Sequence, residues 1–520
     1  MNTRARLALA VFAAIEAVGA VVYIVNGRKV WFFGVFGDEW DFLAGRRLTL
    51  HDLLERHGDH LVALPAFVFR VLYSTVGLRS YVPYQLLAIV LHLVAAALLR
   101  VVMRRAGVGP WIATAAAGLF VLFGAGSQDI LIAFQITFTG ALVFGLTQLL
   151  LADHDGGLDR RDGLGLLAGL AALLCSDVAI VMIASVGIAC HLRRRRRAAA
   201  LHTAPLAAVY VAWLIGFGRG ARTSSGLTQV TRSARTSISA TFDALGQVPF
   251  VGWALAAMLL VGLVLAVRGT ERGERWSRLS AAFALLIGAG LFASMLAVTR
   301  FGLGPQFAAS SRYLHIIAAL LLPALAVAAD AIARRQRVLG VVVLALLLVG
   351  IPGNIASIGD NVGPAARYRA QRRVITGLPR APLASSTPHS LHPTPSFAAE
   401  VTVGWLLAGA HSGRIPATRD LTRREQAANA LRLSLEQLDR RASGCVPLRA
   451  QVTRRLARDE TIGIRGAVAV QLLPNGRDVP SQVLPFGTSL LSTNLTHTLR
   501  AVRGPLTLRM APRSAISGLC

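Results

Sequence analysis

The chain has 520 residues, of which 54% are hydrophobic and 15% charged, with a mean hydropathy of +0.56. That composition excludes a disordered protein and an ordinary soluble domain, and it points to a polytopic membrane protein. The 54 basic residues exceed the 26 acidic ones to give a net charge of +28. Because these cations flank apolar runs, orientation and anionic lipid headgroups account for most of them and no nucleic-acid partner is expected.

A spanning helix needs roughly 20 apolar residues. In chain order such runs fall near 7–25, 81–102, 111–126, 130–151, 163–175, 177–192, 203–217, 247–267, 279–298, 313–332 and 338–352. Arg4 and Arg6 precede the first, which is too long for a signal peptide and has no small-residue cleavage site. Arginine clusters occupy every second connection: Arg100, Arg104 and Arg105; Arg160 and Arg161; Arg193 to Arg197; Arg268, Arg272, Arg275 and Arg278; Arg334, Arg335 and Arg337. The positive-inside rule then predicts an α-helical polytopic protein of the plasma membrane, with about 11 spans, a cytoplasmic amino terminus and an extracytoplasmic carboxyl terminus. Residues 61–78, LVALPAFVFRVLYSTVGL, are also long enough to span but carry Arg70 and Pro65. Counting them would invert every later arginine cluster, so an amphipathic helix on the outer surface is predicted there. The pair 163–175 and 177–192 is short, with its reversal at Ser176 and Asp177.

The predicted organisation is a transmembrane domain over 1–352 with a first exterior loop at 26–80, a Pro/Ser-rich linker at 353–395, and a small α+β exterior domain at 396–520. Within that domain, residues 420–441 place Leu421, Ala428, Leu431, Leu435 and Leu438 on one helical face, and 460–473 and 504–510 read as strands. Cys175 and Cys190 fall in spans as small apolar residues. Cys445 and Cys520 fall in the tail, where they are either a disulfide or two unrelated thiols. The cysteine spacings match no zinc site.

The first exterior loop carries the chemistry: FGDEWDFLAGRRLTLHDLLERHGDHLVALP. Asp38, Glu39 and Asp41 lie within four residues among Phe36, Trp40 and Phe42. Adjacent carboxylates repel, and an apolar surround at the bilayer desolvates them, so one of them is suited to act as a general base. The plainer alternative is a solvated acidic loop. His57, Asp59 and His60 follow, with histidines able to bind a leaving group, orient a carboxylate or ligate a metal. A divalent cation on Asp38, Asp41 and His60 is chemically open, but no spacing requires a cofactor. Arg70, Arg300 and Arg312 are the cations placed to bind a phosphate, since a guanidinium can make two hydrogen bonds to one phosphate; interfacial anchoring is the competing role for Arg300 and Arg312. Asp129, in FGAGSQDILIAFQ with Gln128 and Gln135, either lines a sugar pocket or forms a polar turn. Tyr313 reads as an interfacial-belt residue. Glu16 sits in the middle of the first span and His92 in the second, so the two are expected either to pair between helices or to relay protons.

A long first exterior loop with Asp-Glu just after the first span, followed by surface helices, resembles the GT-C glycosyltransferases, in particular the protein O-mannosyltransferases and lipid A aminoarabinose transferases. The resemblance covers the architecture of residues 1–352 and a motif a few residues long, while Asp41 and the short tail depart from it. It implies a sugar donor on a polyprenyl phosphate, Asp38 as the catalytic base with Glu39 as its partner, and a hydroxyl on a cell-envelope glycan, lipid or protein as acceptor. The alternatives are a lipid or glycan transporter working through Glu16 and His92, and a non-catalytic assembly protein whose basic tail holds envelope polymers.

Overall fold

The structure is a computed structural model describing residues 3–28, 37–218, 227–299, 305–418, 420–438, 443–466, 468–473, 482–483, 496–512 and 517–520. The chain divides into two compact units. The first comprises Met1–Val30, Thr49–Phe67 and Val82–Gly363; the second comprises Trp31–Leu48, Val68–Tyr81 and Pro364–Cys520. The first loop thus contributes to both.

The first unit is helical and polytopic. Among the described residues eight helices are long and apolar enough to cross a membrane: Thr3–Gly27, Val82–Arg105, Ala133–Ala152, Arg196–Phe217, Val251–Gly269, Arg275–Thr299, Ser311–Ala333 and Val338–Ala356. A ninth is added if Pro110–Val121 and Gly124–Leu131, which meet at a 42° bend, form one span. The helices predicted at 163–175 and 177–192 are present as Arg160–Leu173 and Val178–Leu192, of 14 and 15 residues, both below spanning length by this measure. The reversal between them is tied down where Leu64 N–H donates to the Leu174 carbonyl at 3.0 Å.

The bend at Gly124 has a local cause. A side chain there would lie 1.7 Å from the Asn354 carbonyl oxygen, so only glycine permits the approach. Buried Asn354 then meets the backbone freed by the break: its Oδ1 accepts from Ala125 N–H at 3.2 Å, and its Nδ2 donates to the Ala244 and Gly350 carbonyls at 3.0 Å. Irregular backbone inside a helical membrane body is tolerated where such partners exist. Ser311–Ala333 is the most enclosed long helix, buried along nearly its whole length. At its end Asp330 accepts from Gly109 N–H at 2.8 Å and pairs with Arg334 at 2.6 Å.

The surface helix expected at 61–78 is Ala63–Thr75, of 13 residues. Ala66, Phe69 and Tyr73 are buried along one face, whereas Phe67 and Val71 are exposed on the other. This is the i, i+3, i+7 spacing of a one-sided helix.

In the second unit the expected linker contains a helix, Ala365–Gly377, with Tyr368, Gln371 and Ile375 buried on one face. The Pro/Ser stretch after it is irregular but fixed: the Leu391 carbonyl accepts from Val403 N–H and the His389 carbonyl from Gly404 N–H, both at 2.9 Å. Helix Arg423–Ser434 begins at a capping box of Thr422 and Glu425. It stops before Leu435, because the next four residues pair with a strand; the helix expected over 420–441 is shorter for that reason.

Among the described residues nine strands follow, β1 Leu435–Leu438, β2 Val446–Pro447, β3 Val452–Leu456, β4 Thr461–Arg465, β5 Val468–Leu472, β6 Gln482–Val483, β7 Thr496–Ala501, β8 Leu506–Pro512 and β9 Gly518–Leu519. They form two antiparallel sheets, β1-β7-β4-β9-β2 and β3-β8-β5-β6. The predicted strand region 460–473 is therefore two strands, β4 and β5, placed in different sheets, and 504–510 is β8. Leu435, Ile462, Ile464, Val470, Leu499, Leu508 and Met510 make the core of this α+β part. Cys445 and Cys520 form a disulfide, whereas Cys175 and Cys190 are free and buried.

Candidate functional site

The acidic segment belongs to the second unit. Gly37, at φ 84°, turns the chain into a helical turn over Asp38–Trp40, and a π-helical turn continues over Asp41–Gly45. Glu39 is 2% exposed and its Oε1 accepts from the Tyr81 hydroxyl at 2.8 Å. Asp41 Oδ2 accepts from Arg46 Nε at 2.9 Å and lies 2.8 Å from Arg46 Nη2, the arginine itself being buried. Asp38 is partly exposed, and in the same turn Tyr81 donates to Glu39 while Arg46 pairs with Asp41.

Aromatic packing fixes the same turn. Trp40, fully buried, meets Trp405 edge-on at 6.3 Å, and Trp405 stacks on Tyr73 at 5.1 Å and 17°. The guanidiniums of Arg70 and Arg414 lie 5.7 and 5.9 Å from the Tyr73 ring centre. Arg70 also donates to the Leu43 carbonyl in the π-turn. The cation expected to hold a phosphate is thus placed to hold the acidic turn. Burial pushes the Tyr73 phenol up to about 12 against the pull of Arg414 and Arg70, which keeps it a proton donor at neutral pH.

A second polar group lies in the first unit. His57 and His60 exchange backbone hydrogen bonds at 3.0 and 2.9 Å around Gly58, at φ 57°, and Asp59. His60 Nδ1 approaches Asp177 Oδ2 to 3.1 Å, although the angle falls outside good hydrogen-bond geometry. Asp59, His60, Asp177 and Tyr313 line a small cavity of about 30 Å³, large enough to hold a water. Tyr313, expected in the interfacial belt, is 1% exposed, and Arg312 lies 5.0 and 5.3 Å from the Tyr313 and Phe307 ring centres. The His57 ring faces Phe134 at 5.3 Å. A histidine beside a carboxylate at such an edge can accept a proton or, when protonated, bind a phosphate oxygen. Arg300 lies outside the described residues.

The third group is deeper in the same unit. His92 Nε2 lies 3.1 Å from the Val121 carbonyl oxygen, His92 Nδ1 lies 3.0 Å from His315 Nε2, and His315 Nδ1 lies 3.1 Å from Asp129 Oδ2. All three side chains are 0% exposed. A carbonyl only accepts, so His92 carries its proton on Nε2 and, when neutral, accepts from His315 at Nδ1. His315 Nδ1 and Asp129 Oδ2 stand at ion-pair distance but, like His60 and Asp177, outside good hydrogen-bond geometry. Two expectations change. Asp129 is enclosed beside His315 rather than lining an open pocket or a solvated turn, and the partners of His92 are His315 and Val121 rather than Glu16. Glu16 is partly buried and feels the charge of Arg100.

The expected cation set divides between the units, Asp38 and Asp41 in one and His60 in the other, and Asp41 is paired with Arg46. Among the described residues the cluster with metal-like spacing is His154, Asp159 and Asp162. The Arg195 guanidinium stands within 2.9 Å of Asp162 Oδ2 and 3.2 Å of His154 Nε2, and His202 Nε2 is 3.1 Å from Asp162 Oδ1. That cluster is an ion-pair network already supplied with its cation.

Reasoning from sequence missed Tyr81, Tyr73 and His315. A histidine inside the apolar run at 313–332 was the available signal for His315, whereas Tyr73 and Tyr81 carry none that separates them from interfacial aromatics. No family model, curated protein or solved structure matches the chain.

Proposed function

We propose that this multi-pass protein is a GT-C-type membrane glycosyltransferase, moving a sugar from a polyprenyl-phosphate donor to a hydroxyl acceptor on a cell-envelope glycan, lipid or protein. The observation that carries the reading is that the acidic segment Asp38–Asp41 folds in one unit with the disulfide-bonded tail. A disulfide persists in an oxidising compartment, which supports an extracytoplasmic tail, and the acids share its side of the plasma membrane. The amino terminus is then cytoplasmic, and Arg160–Leu173 with Val178–Leu192 crosses as a pair, bringing the spans to eleven.

In this reaction the Asp38 carboxylate takes the proton of the acceptor hydroxyl. The acceptor oxygen forms its bond to the anomeric carbon as the bond from that carbon to the phosphate oxygen breaks, and the electron pair leaves with the phosphate. The reaction calls for no cofactor.

A second reading is supported by the buried chain of Asp129, His315 and His92. Ionisable groups buried at depth are a feature of transporters, and a transporter would move a lipid or glycan rather than transfer a sugar. Reconstituted full-length protein supplied with polyprenyl-phosphate hexoses and pentoses distinguishes the two, with release of polyprenyl phosphate as the readout. Asp38→Asn is expected to lower the rate by about 10²–10⁴-fold, the usual weight of a general base, with Asp129→Asn and Glu16→Gln retaining turnover. Full turnover in Asp38→Asn, with substrate movement lost in Asp129→Asn, would replace the transferase by the transporter.

A further inference from the structure

A different cavity in the first unit holds no part of the proposed reaction. It measures about 270 Å³ and opens where several helix ends meet: the turn after Val82–Arg105, the end of Val251–Gly269, the first turn of Arg275–Thr299 and the end of Ser311–Ala333. Arg278, Arg334 and Arg335 line it, with Asp330 as the acid in its wall. With Glu274 paired to Arg278 and Asp330 to Arg334, the three guanidiniums still leave a surplus of one positive charge.

The arginines differ in how they are held. Arg334 is fixed by Asp330 at 2.6 Å and by donation to the Gly107 carbonyl at 2.6 Å. Arg278 pairs with Glu274 one turn earlier at 2.7 Å. Among the described residues Arg335 has no ion pair. Each guanidinium carries five N–H groups, so even the paired ones keep donors for a further oxygen. Helix ends lie at headgroup depth, where a basic recess between helices meets phosphates. Anchoring alone needs arginines on a surface and makes no use of a recess; this one is lined by Gly269, where a side chain would find open space.

We propose that this arginine-lined cavity is a binding site for a phosphate group, with the phosphodiester of an anionic lipid as one source and a small soluble phosphate as the other. The phosphate oxygens take N–H bonds from Arg335, Arg334 and Arg278, and Gly269 leaves the volume for the group that the phosphate carries.

The test is native mass spectrometry on delipidated full-length protein titrated separately with dioleoyl-phosphatidylglycerol, dioleoyl-phosphatidylcholine and glycerol 3-phosphate. Wild type is expected to bind phosphatidylglycerol or glycerol 3-phosphate more tightly than phosphatidylcholine, and whichever of the two wins identifies the source. Arg335→Gln and Arg278→Gln should each weaken that binding by on the order of tenfold, since each removes charge-assisted bonds. Gly269→Phe fills the cavity with every charge in place and should lower binding to the phosphatidylcholine level. Arg335→Lys, which keeps the charge, reports whether a loss follows from misfolding, since it should retain part of the affinity. Equal affinity for all three probes in wild type, or wild-type affinity in either Arg335→Gln or Gly269→Phe, would overturn the site.

Discussion

Replacing Tyr81 by Phe removes one oxygen from a residue 3% exposed and keeps the ring. That hydroxyl donates to Glu39 at 2.8 Å, and Glu39 is 2% exposed, so water does not readily take its place. Hydrogen bonds to buried charged groups are worth ~1.5–3 kcal/mol, and about 2 kcal/mol corresponds to roughly a thirtyfold change in a local opening equilibrium. Amide hydrogen exchange reads that equilibrium segment by segment. The reporter is the Trp40 N–H, which donates to the Gly37 carbonyl at 3.2 Å at the start of the acidic turn. In Tyr81→Phe its protection should fall about thirtyfold, with the helix Ser311–Ala333 unchanged. Glu39→Gln should also lower it, and the double variant should cost less than the sum of the two single ones, because the two groups share that bond. Protection within about twofold of wild type at Trp40 would refute the claim that Tyr81 holds the turn.

Three further outcomes follow from the second unit. Arg373, through its side-chain hydrogen bonds, holds Glu425 down at about 2 from the usual 4.5, with Thr422 assisting. A lowered carboxylate contributes stability that is complete above pH 4.5 and is lost as pH falls toward about 2, so acid unfolding of the tail should lose this pH dependence in Glu425→Gln. Since the pair is about a third exposed, the loss at neutral pH should be near ~1–2 kcal/mol, cap included, measured by denaturant unfolding. Removing the disulfide with Cys445→Ser and Cys520→Ser opens a loop of 75 residues in sequence, for which the chain-entropy account gives about 4 kcal/mol; limited proteolysis of the tail should accelerate accordingly. Gly77→Ala places a methyl 2.3 Å from the Arg414 carbonyl oxygen at φ 64°, and should cost about 1–3 kcal/mol, seen as faster exchange of the Leu78 amide.

The membrane helices were legible because a spanning run is a local property: nine of the eleven predicted runs coincide with long helices or with the bent pair. A span at 61–78 was rejected because it would have inverted every later arginine cluster, and the helix there has 13 residues. Helix Ala365–Gly377 was hidden by its arginines, although Tyr368, Gln371 and Ile375 keep a helical period beneath them. Leu435–Leu438 continues the apolar face of the preceding helix, yet pairing with Thr498–Ala501 makes it a strand. A local period cannot register that competition. The acidic turn was visible as three carboxylates, whereas the partners that sort them are distant in sequence: Tyr81 for Glu39, and Trp405 for Trp40. Likewise a lone histidine in each of two spans gave no sign that His92 and His315 would meet at 3.0 Å.

The claim beneath the functional reading is that the acidic turn lies in the same oxidising compartment as the tail. Leu48, 53% exposed and close in sequence to the acids, is the place to test it. Cys445 and Cys520 are joined and Cys175 and Cys190 are buried, so a thiol introduced as Leu48→Cys is the one open to a membrane-impermeant maleimide. Labelling of intact cells before any permeabilisation is the result expected. Labelling that appears only after the membrane is opened would place the acids in the cytoplasm and contradict the account.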